Sequence, residues 1–205
     1  MKQVFRLLSL LVLTVTLVVL TGSACKKESP PPDRAWQREA FQPLAENTKD
    51  YSLPDGITID TLRGEEDSVI PESNLPLYMV VRNAKSGNTN VTFPAGLIFD
   101  PQNPEIKYMM LLKDFTFTAN VGVTESIYVP TYDCNDVLDD PDVESFFTTA
   151  GIEWDKETQE LLDLVADKAL NTPEAIDLAQ QALSEITEDS TGLTDSTRTH
   201  LKALP

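Results

Sequence analysis

Three regimes of apolar spacing divide the chain. Leu7 to Leu20 is a 14-residue apolar run with scarcely a polar break. From about residue 51 to 133 the spacing shifts to period two, the mark of half-buried strands. Ile57-Thr-Ile59-Asp-Thr61 alternates, Leu77 to Arg82 is an apolar run of strand length, and Phe115-Thr-Phe117-Thr alternates again. Between these lie Thr89 to Phe93, Leu97-Ile98-Phe99 and Ile106 to Leu112, and Ser126 to Val129 closes the series. Ser86-Gly87-Asn88 predicts a hairpin joining Leu77–Arg82 to Thr89–Phe93, Pro94-Ala-Gly96 a bend, and Asn120-Val-Gly122 a further turn.

Beyond about residue 136 the period becomes helical. Val143, Phe146, Phe147 and Ala150 predict a short helix stopped by Gly151. Asp155 predicts the cap of a second helix with an apolar stripe at Leu161, Leu162, Val165 and Ala169. Thr172-Pro173 is a helix start, with Thr172 as N-cap and Pro173 in the first turn; Ile176, Ala179, Leu183 and Ile186 form its stripe. Gly192 breaks this helix, and Thr194 caps a last one running through Leu201. The expected fold is therefore α+β: an antiparallel β-sandwich of six to seven strands, immunoglobulin-like or similar, over residues 51–135, followed by a small helical part over 136–205 packed on it. Isolated helices this short are marginal in water, so the two parts are expected to form one cooperative unit.

The N-terminal run carries a different message. Lys2 and Arg6 precede it, Thr21-Gly22-Ser23-Ala24 follow it, and Cys25 comes next. It is shorter than the roughly 20 residues of a membrane-spanning helix and has the length of a signal core. Residues 1–24 read as a secretory signal peptide. Residues 25–50 read as a tether: Lys26 to Asp33 is polar, and Pro30 to Pro32 favour extended polyproline II. Trp36, Ala40 and Leu44 share one helical face, which predicts a short helix after Asp33.

The leader resembles that of bacterial lipoproteins, in which small residues precede a Cys that receives a diacylglycerol. Ser23, Ala24 and Cys25 match; Gly22 stands where that family usually has Leu. The resemblance implies a covalent lipid on Cys25 and a lipid-bilayer partner. With Lys26 after the Cys, the outer membrane or cell surface is expected over the inner membrane.

The whole chain has 205 residues and a formal charge of −17. Without Lys2 and Arg6 it has 14 basic against 33 acidic residues. Such a field repels nucleic acid, which is excluded as a partner. The single histidine, His200, leaves no Ser-His-Asp or His-rich metal site. No catalytic constellation emerges, so an enzyme is not expected.

Asp133, Asp136, Asp139, Asp140, Asp142 and Glu144 form the densest acidic cluster. A calcium loop of EF-hand type beginning at Asp133 fails, because Leu138 occupies the glycine position and Val137 a ligand position. Two readings stay open: an irregular cation site drawing on Asp133, Asp136, Asp139 and Asp140, and a solvated loop that caps a helix.

If Cys25 carries lipid, Cys134 has no disulfide partner within the chain. It is either a small buried hydrophobe or a functional thiol. Phe93-Pro-Ala-Gly-Leu-Ile-Phe99, Tyr108-Met-Met110 and Tyr132-Asp-Cys-Asn135 resemble an uncharacterised class of bacterial secreted β-sandwich domains. That class is similar in turn to thioester adhesin domains, where a Cys in an aromatic-x-Cys context is bonded to a Gln of a downstream helix. Tyr132-Asp-Cys134 matches the first motif. Gln180, Ala182, Leu183 and Ile186 match the second, with Ser184 in place of the usual Trp.

Two functions follow as expectations. The first is a membrane-anchored envelope lipoprotein that binds or scaffolds, its partner an envelope or extracellular protein, with no cofactor beyond the lipid on Cys25. The alternative is a covalent surface adhesin using a Cys134–Gln180 thioester, in degenerate form.

Overall fold

A computed structural model describes residues 41–65, 70–188 and 192–205. Among them are ten strands: β1 (Thr48–Lys49), β2 (Ile57–Gly64), β3 (Leu77–Asn83), β4 (Thr89–Phe93), β5 (Leu97–Pro101), β6 (Met109–Met110), β7 (Phe115–Ala119), β8 (Thr124–Val129), β9 (Tyr132–Asp133) and β10 (Phe147–Glu153). Three helices follow: α1 (Lys156–Val165), α2 (Pro173–Thr187) and α3 (Asp195–Ala203). The fold is α+β and sandwich-like. The leader, Cys25, the Pro-rich tether and most of the helix expected after Asp33 lie outside the described residues. Leu44, the last member of that helical face, is in irregular backbone and 54 % exposed.

The strands form three antiparallel sheets. One has the order β1-β10-β5-β6-β9, a second β2-β3-β8, and a third is the pair β4-β7. The five-stranded sheet is covered on both faces. Leu97, Phe99, Met109 and Leu111 enter a core shared with Leu77, Met79 and Val81 of β3 and Val91 and Phe93 of β4. Their neighbours Ile98, Met110 and Leu112 enter a second core with Leu161 and Val165 of α1, Ala179 and Leu183 of α2, and Leu201 of α3. This is why Leu97-Ile98-Phe99 and Met109 to Leu112 are unbroken apolar runs: each successive side chain has a buried face to enter. In β3, by contrast, Leu77, Met79, Val81 and Asn83 are buried while the residues between them are more exposed.

The expected helix caps form. Asp155 accepts from the amides of Glu157 and Thr158, Thr172 from Ala175, and Thr194 from Thr197. Gly192 has φ +67°, in the stretch between α2 and α3. The α1 stripe is shorter than expected, since the helix ends at Val165 and leaves Ala169 outside it.

Three expectations are corrected. The helix over Val143–Ala150 does not form; Phe147–Glu153 is strand β10, between β1 and β5. Val143 and Phe146 are solvent-exposed, so the helical spacing that includes them has no buried face. Gly151 marks no helix end but a β-bulge, with φ +144° and Thr48 and Lys49 so close that a Cβ would strike them at 2.5 and 2.8 Å. The hairpin between β3 and β4 is also absent. These strands belong to different sheets, and the Ser86-Gly87-Asn88 turn carries the chain from one to the other. Buried Asn83 holds this corner: its Nδ2 donates to the carbonyls of Gly87 and Ala119 (2.9 and 2.8 Å), and its Oδ1 accepts from the Lys85 amide. Of the strand expected over Ile106–Leu112, only Met109–Met110 forms a regular strand; Ile106 makes an isolated bridge to Asp139.

Candidate functional site

Small residues let α2 come close to the sheet. Ala175, Ala179 and Ala182 are buried on its inner face, and Gln180, at the border of that face, reaches β9. Strand β9 is the outermost of its sheet. Its inner side is engaged by β6; beyond it, the Cys134 amide donates to the Tyr108 carbonyl at 2.9 Å. On the outer side the Gln180 carboxamide acts as a one-residue partner strand. Its Oε1 accepts from the Asp133 amide at 3.1 Å and its Nε2 donates to the Asp133 carbonyl at 2.9 Å. Oε1 also accepts from Asn74 at 3.0 Å, and Nε2 donates to Ser184 Oγ at 3.3 Å. A carboxamide carries the same donor and acceptor as a peptide unit, so it closes an edge that would otherwise expose both groups.

Cys134 is fully buried in the sheet–helix core, next in sequence to the residue Gln180 holds. Burial first, then the negative charges of Asp133, Glu153 and Glu188, push its thiol well above the ordinary range. Nucleophilic attack requires the thiolate, which this environment suppresses.

The six clustered acids separate into three arrangements. Asp133 and Asp136 meet Glu188, which follows α2; the carboxylate oxygens of the three lie within 4.8 Å of one another. Lys107 takes the second arrangement, with its Nζ 2.7 Å from Asp140 and 3.8 Å from Asp133. Burial works against the Lys107 charge, yet Asp140, Asp133 and Asp136 together hold its pKa above the usual value. Burial raises the Asp133 carboxyl, with the Lys107 charge opposing. Third, Asp142 Oδ1 accepts from the amide of exposed Glu144 and the hydroxyl of Ser145 in a tight turn. Asp139 contributes backbone, pairing with Glu105 and Lys107. Of the four candidate cation ligands, Asp133 and Asp136 are thus brought together, Asp140 is committed to Lys107, and Asp139 stands apart from the group.

A further site lies where β10 runs into α1. Phe41, Leu44 and Asn47, the start of α1 and the end of α2 line an open cavity of about 820 Å³. Glu153, the last residue of β10, lines it while being only 2 % exposed, and its Oε2 has no hydrogen-bond partner among the described residues. Burial, then the nearby Asp155 charge, push this carboxyl up to about 7. Asp155 and Glu157 also line the cavity, but Asp155 Oδ1 is occupied by the first amides of α1. The sequence reading passed over Glu153. Its signal was available: in β10, Phe147, Gly151 and Glu153 are the buried positions, so the strand's inward phase ends on an acid. The mistaken helix hid that phase.

Comparison of the chain with family models, with curated proteins and with solved structures finds no match. The functional reading therefore stands on the residues themselves.

Proposed function

We propose that this protein is an exported lipoprotein, tethered through Cys25 to a bacterial envelope membrane, whose folded body is a non-enzymatic binding module. The body's part of this reading is carried by the Glu153 cavity: it has the size of a small-molecule site, and one of its lining residues is a buried acid whose Oε2 has no hydrogen-bond partner among the described residues. The tether rests on the order Lys2, Arg6, Leu7 to Leu20, Ser23-Ala24, Cys25. Two acyl chains bury many CH₂ groups at about 0.8 kcal/mol each, which makes such an anchor stable. Replacing Cys25 with Ser is expected to move the protein from the detergent phase to the aqueous phase on partitioning. Unchanged detergent partitioning of Cys25→Ser overturns the lipid anchor.

A second reading, the covalent adhesin, is favoured by one observation: the Gln180 carboxamide is bonded to the backbone of the residue before Cys134. A Cys134–Gln180 thioester forms with loss of ammonia, so the intact protein would weigh about 17 Da less than its sequence. The buried, raised thiol and the fully engaged carboxamide weigh toward Gln180 as an edge clamp. Intact mass decides between the two.

A further inference from the structure

The cavity beside Glu153 holds a carboxylate with no countercharge. Buried polar groups are nearly always paired, and a buried carboxylate oxygen without a donor is costly unless something else meets it. Glu153 Oε2 has no donor among the described residues. Among the described residues, the lining of the cavity includes Glu153, Asp155 and Glu157 and no Lys, Arg or His. Its far wall is the C-terminal end of α2, where the helix carbonyls present partial negative charge and the last turn has no basic residue. The start of α1 also borders the cavity, but Asp155 Oδ1 already takes its first amides, so the side-chain charge of the described lining is negative and disfavours an anion.

The rest of the lining narrows the class. A metal ion wants several oxygen ligands close together. Among the described residues, the acids whose ligand atoms gather that way are Asp133, Asp136 and Glu188, and Glu153 is not one of them. Phe41, Leu44 and Ile186 add apolar wall instead. Cavities of roughly 300–1,000 Å³ with apolar walls and a few aimed polar groups suit small organic ligands, and this one measures about 820 Å³.

Resting on the binding-module reading, we propose that this cavity takes a small organic cation, an alkylammonium whose head meets Glu153 and whose chain lies against Phe41, Leu44 and Ile186. The ammonium supplies the donor that Oε2 lacks, and the chain covers apolar wall. A neutral ligand of the same shape leaves the carboxylate unpaired and binds more weakly.

Titration of the full-length protein at pH 8 with hexylammonium, hexanol and hexanoate tests this, followed by the methyl NMR signals of Leu44 and Ile186. Hexylammonium is expected to shift both signals saturably. Hexanol should bind at least about tenfold more weakly and hexanoate not at all, and Glu153→Gln should lower hexylammonium affinity by at least about tenfold. Equal affinity for hexanol and hexylammonium, or an unchanged affinity in Glu153→Gln, overturns the proposal. The comparison of probes uses the unaltered protein and does not depend on the variant folding. If hexanol or hexanoate saturates these signals and hexylammonium does not, the cation falls while a binding cavity stands. If neither these probes nor a diverse fragment set moves them, the binding reading falls as well.

Discussion

The two faces of the five-stranded sheet bury side chains of opposite character. On the face toward the other sheets the core is aromatic and apolar. Phe93 sits among the rings of Tyr51, Phe99, Phe115 and Phe117, at centroid separations of 5.5 to 6.5 Å. Sheets pack roughly 10 Å apart, and large rings fill that depth. On the face toward the helices, Ala175, Ala179, Ala182 and Cys134 hold the α2 contact, and small residues let backbone and sheet approach closely. Around this second core lie buried Asp133, Asn135, Glu153 and the Tyr132 hydroxyl, which has no hydrogen-bond partner among the described residues. The comparison separates two tasks. The sheet–sheet core supplies stability with no buried acid or thiol among its described members, and the sheet–helix side holds Asp133, Glu153 and Cys134.

The largest expected effect falls on the aromatic side. Phe93→Ala should destabilise the fold by about 3–5 kcal/mol, because its ring leaves a cavity that four neighbouring rings cannot all collapse into. Chemical denaturation measures this; a loss below about 1 kcal/mol would show that the aromatic cluster is not the stabilising centre.

Glu153→Gln tests the polar side with a pH signature. The Glu153 carboxyl is raised from the ordinary 4.5 to about 7, so the folded state holds its proton where the unfolded state has lost it. Its contribution to stability is fully present below about 4.5 and is lost as pH rises through 7. The neutral Gln lacks this loss. The variant is expected to be more stable than the parent at pH 8 by about 1–3 kcal/mol, with the gain vanishing near pH 4. A difference that does not change with pH would show that Glu153 is not buried as a lone carboxyl.

The smallest effect belongs to the edge clamp. Gln180→Ala leaves the outer amide and carbonyl of Asp133 without their partner, at a cost of about 1–2 kcal/mol. It should also loosen β9, so that Cys134 reacts faster with iodoacetamide under native conditions, whereas in Phe93→Ala, compared at equal global stability, it does not. Equal labelling rates in the two variants would show that access to Cys134 is governed by global unfolding and not by this edge.

Part of this contrast was legible in the sequence. The unbroken runs Leu97-Ile98-Phe99 and Met109 to Leu112 mark strands buried on both faces, while Ile57 to Thr61 marks a strand with one face open. Asp155, Thr172 and Thr194 were readable as caps because capping is settled within four residues. Gln180 was singled out by motif, but its role as a partner for β9 was not visible, since Asp133 lies 47 residues away. Glu153 was missed because Val143, Phe146, Phe147 and Ala150 fall at helical spacing. Only the exposure of Val143 and Phe146, together with pairing to Leu97–Pro101, shows that spacing to be coincidental.

The sequence by itself therefore determined what depends on near neighbours: the helix starts at Asp155, Thr172 and Thr194, and the strand character of much of residues 57–129. Tertiary structure alone decided the sheet to which each strand belongs, that Gly151 is a bulge, that Lys107 answers Asp140, and that Glu153 lines a cavity without a donor. The physical reason is range. Caps and periodicity are settled over a few residues, whereas β pairing and the burial of a charge depend on side chains tens of residues apart, whose meeting no local pattern encodes.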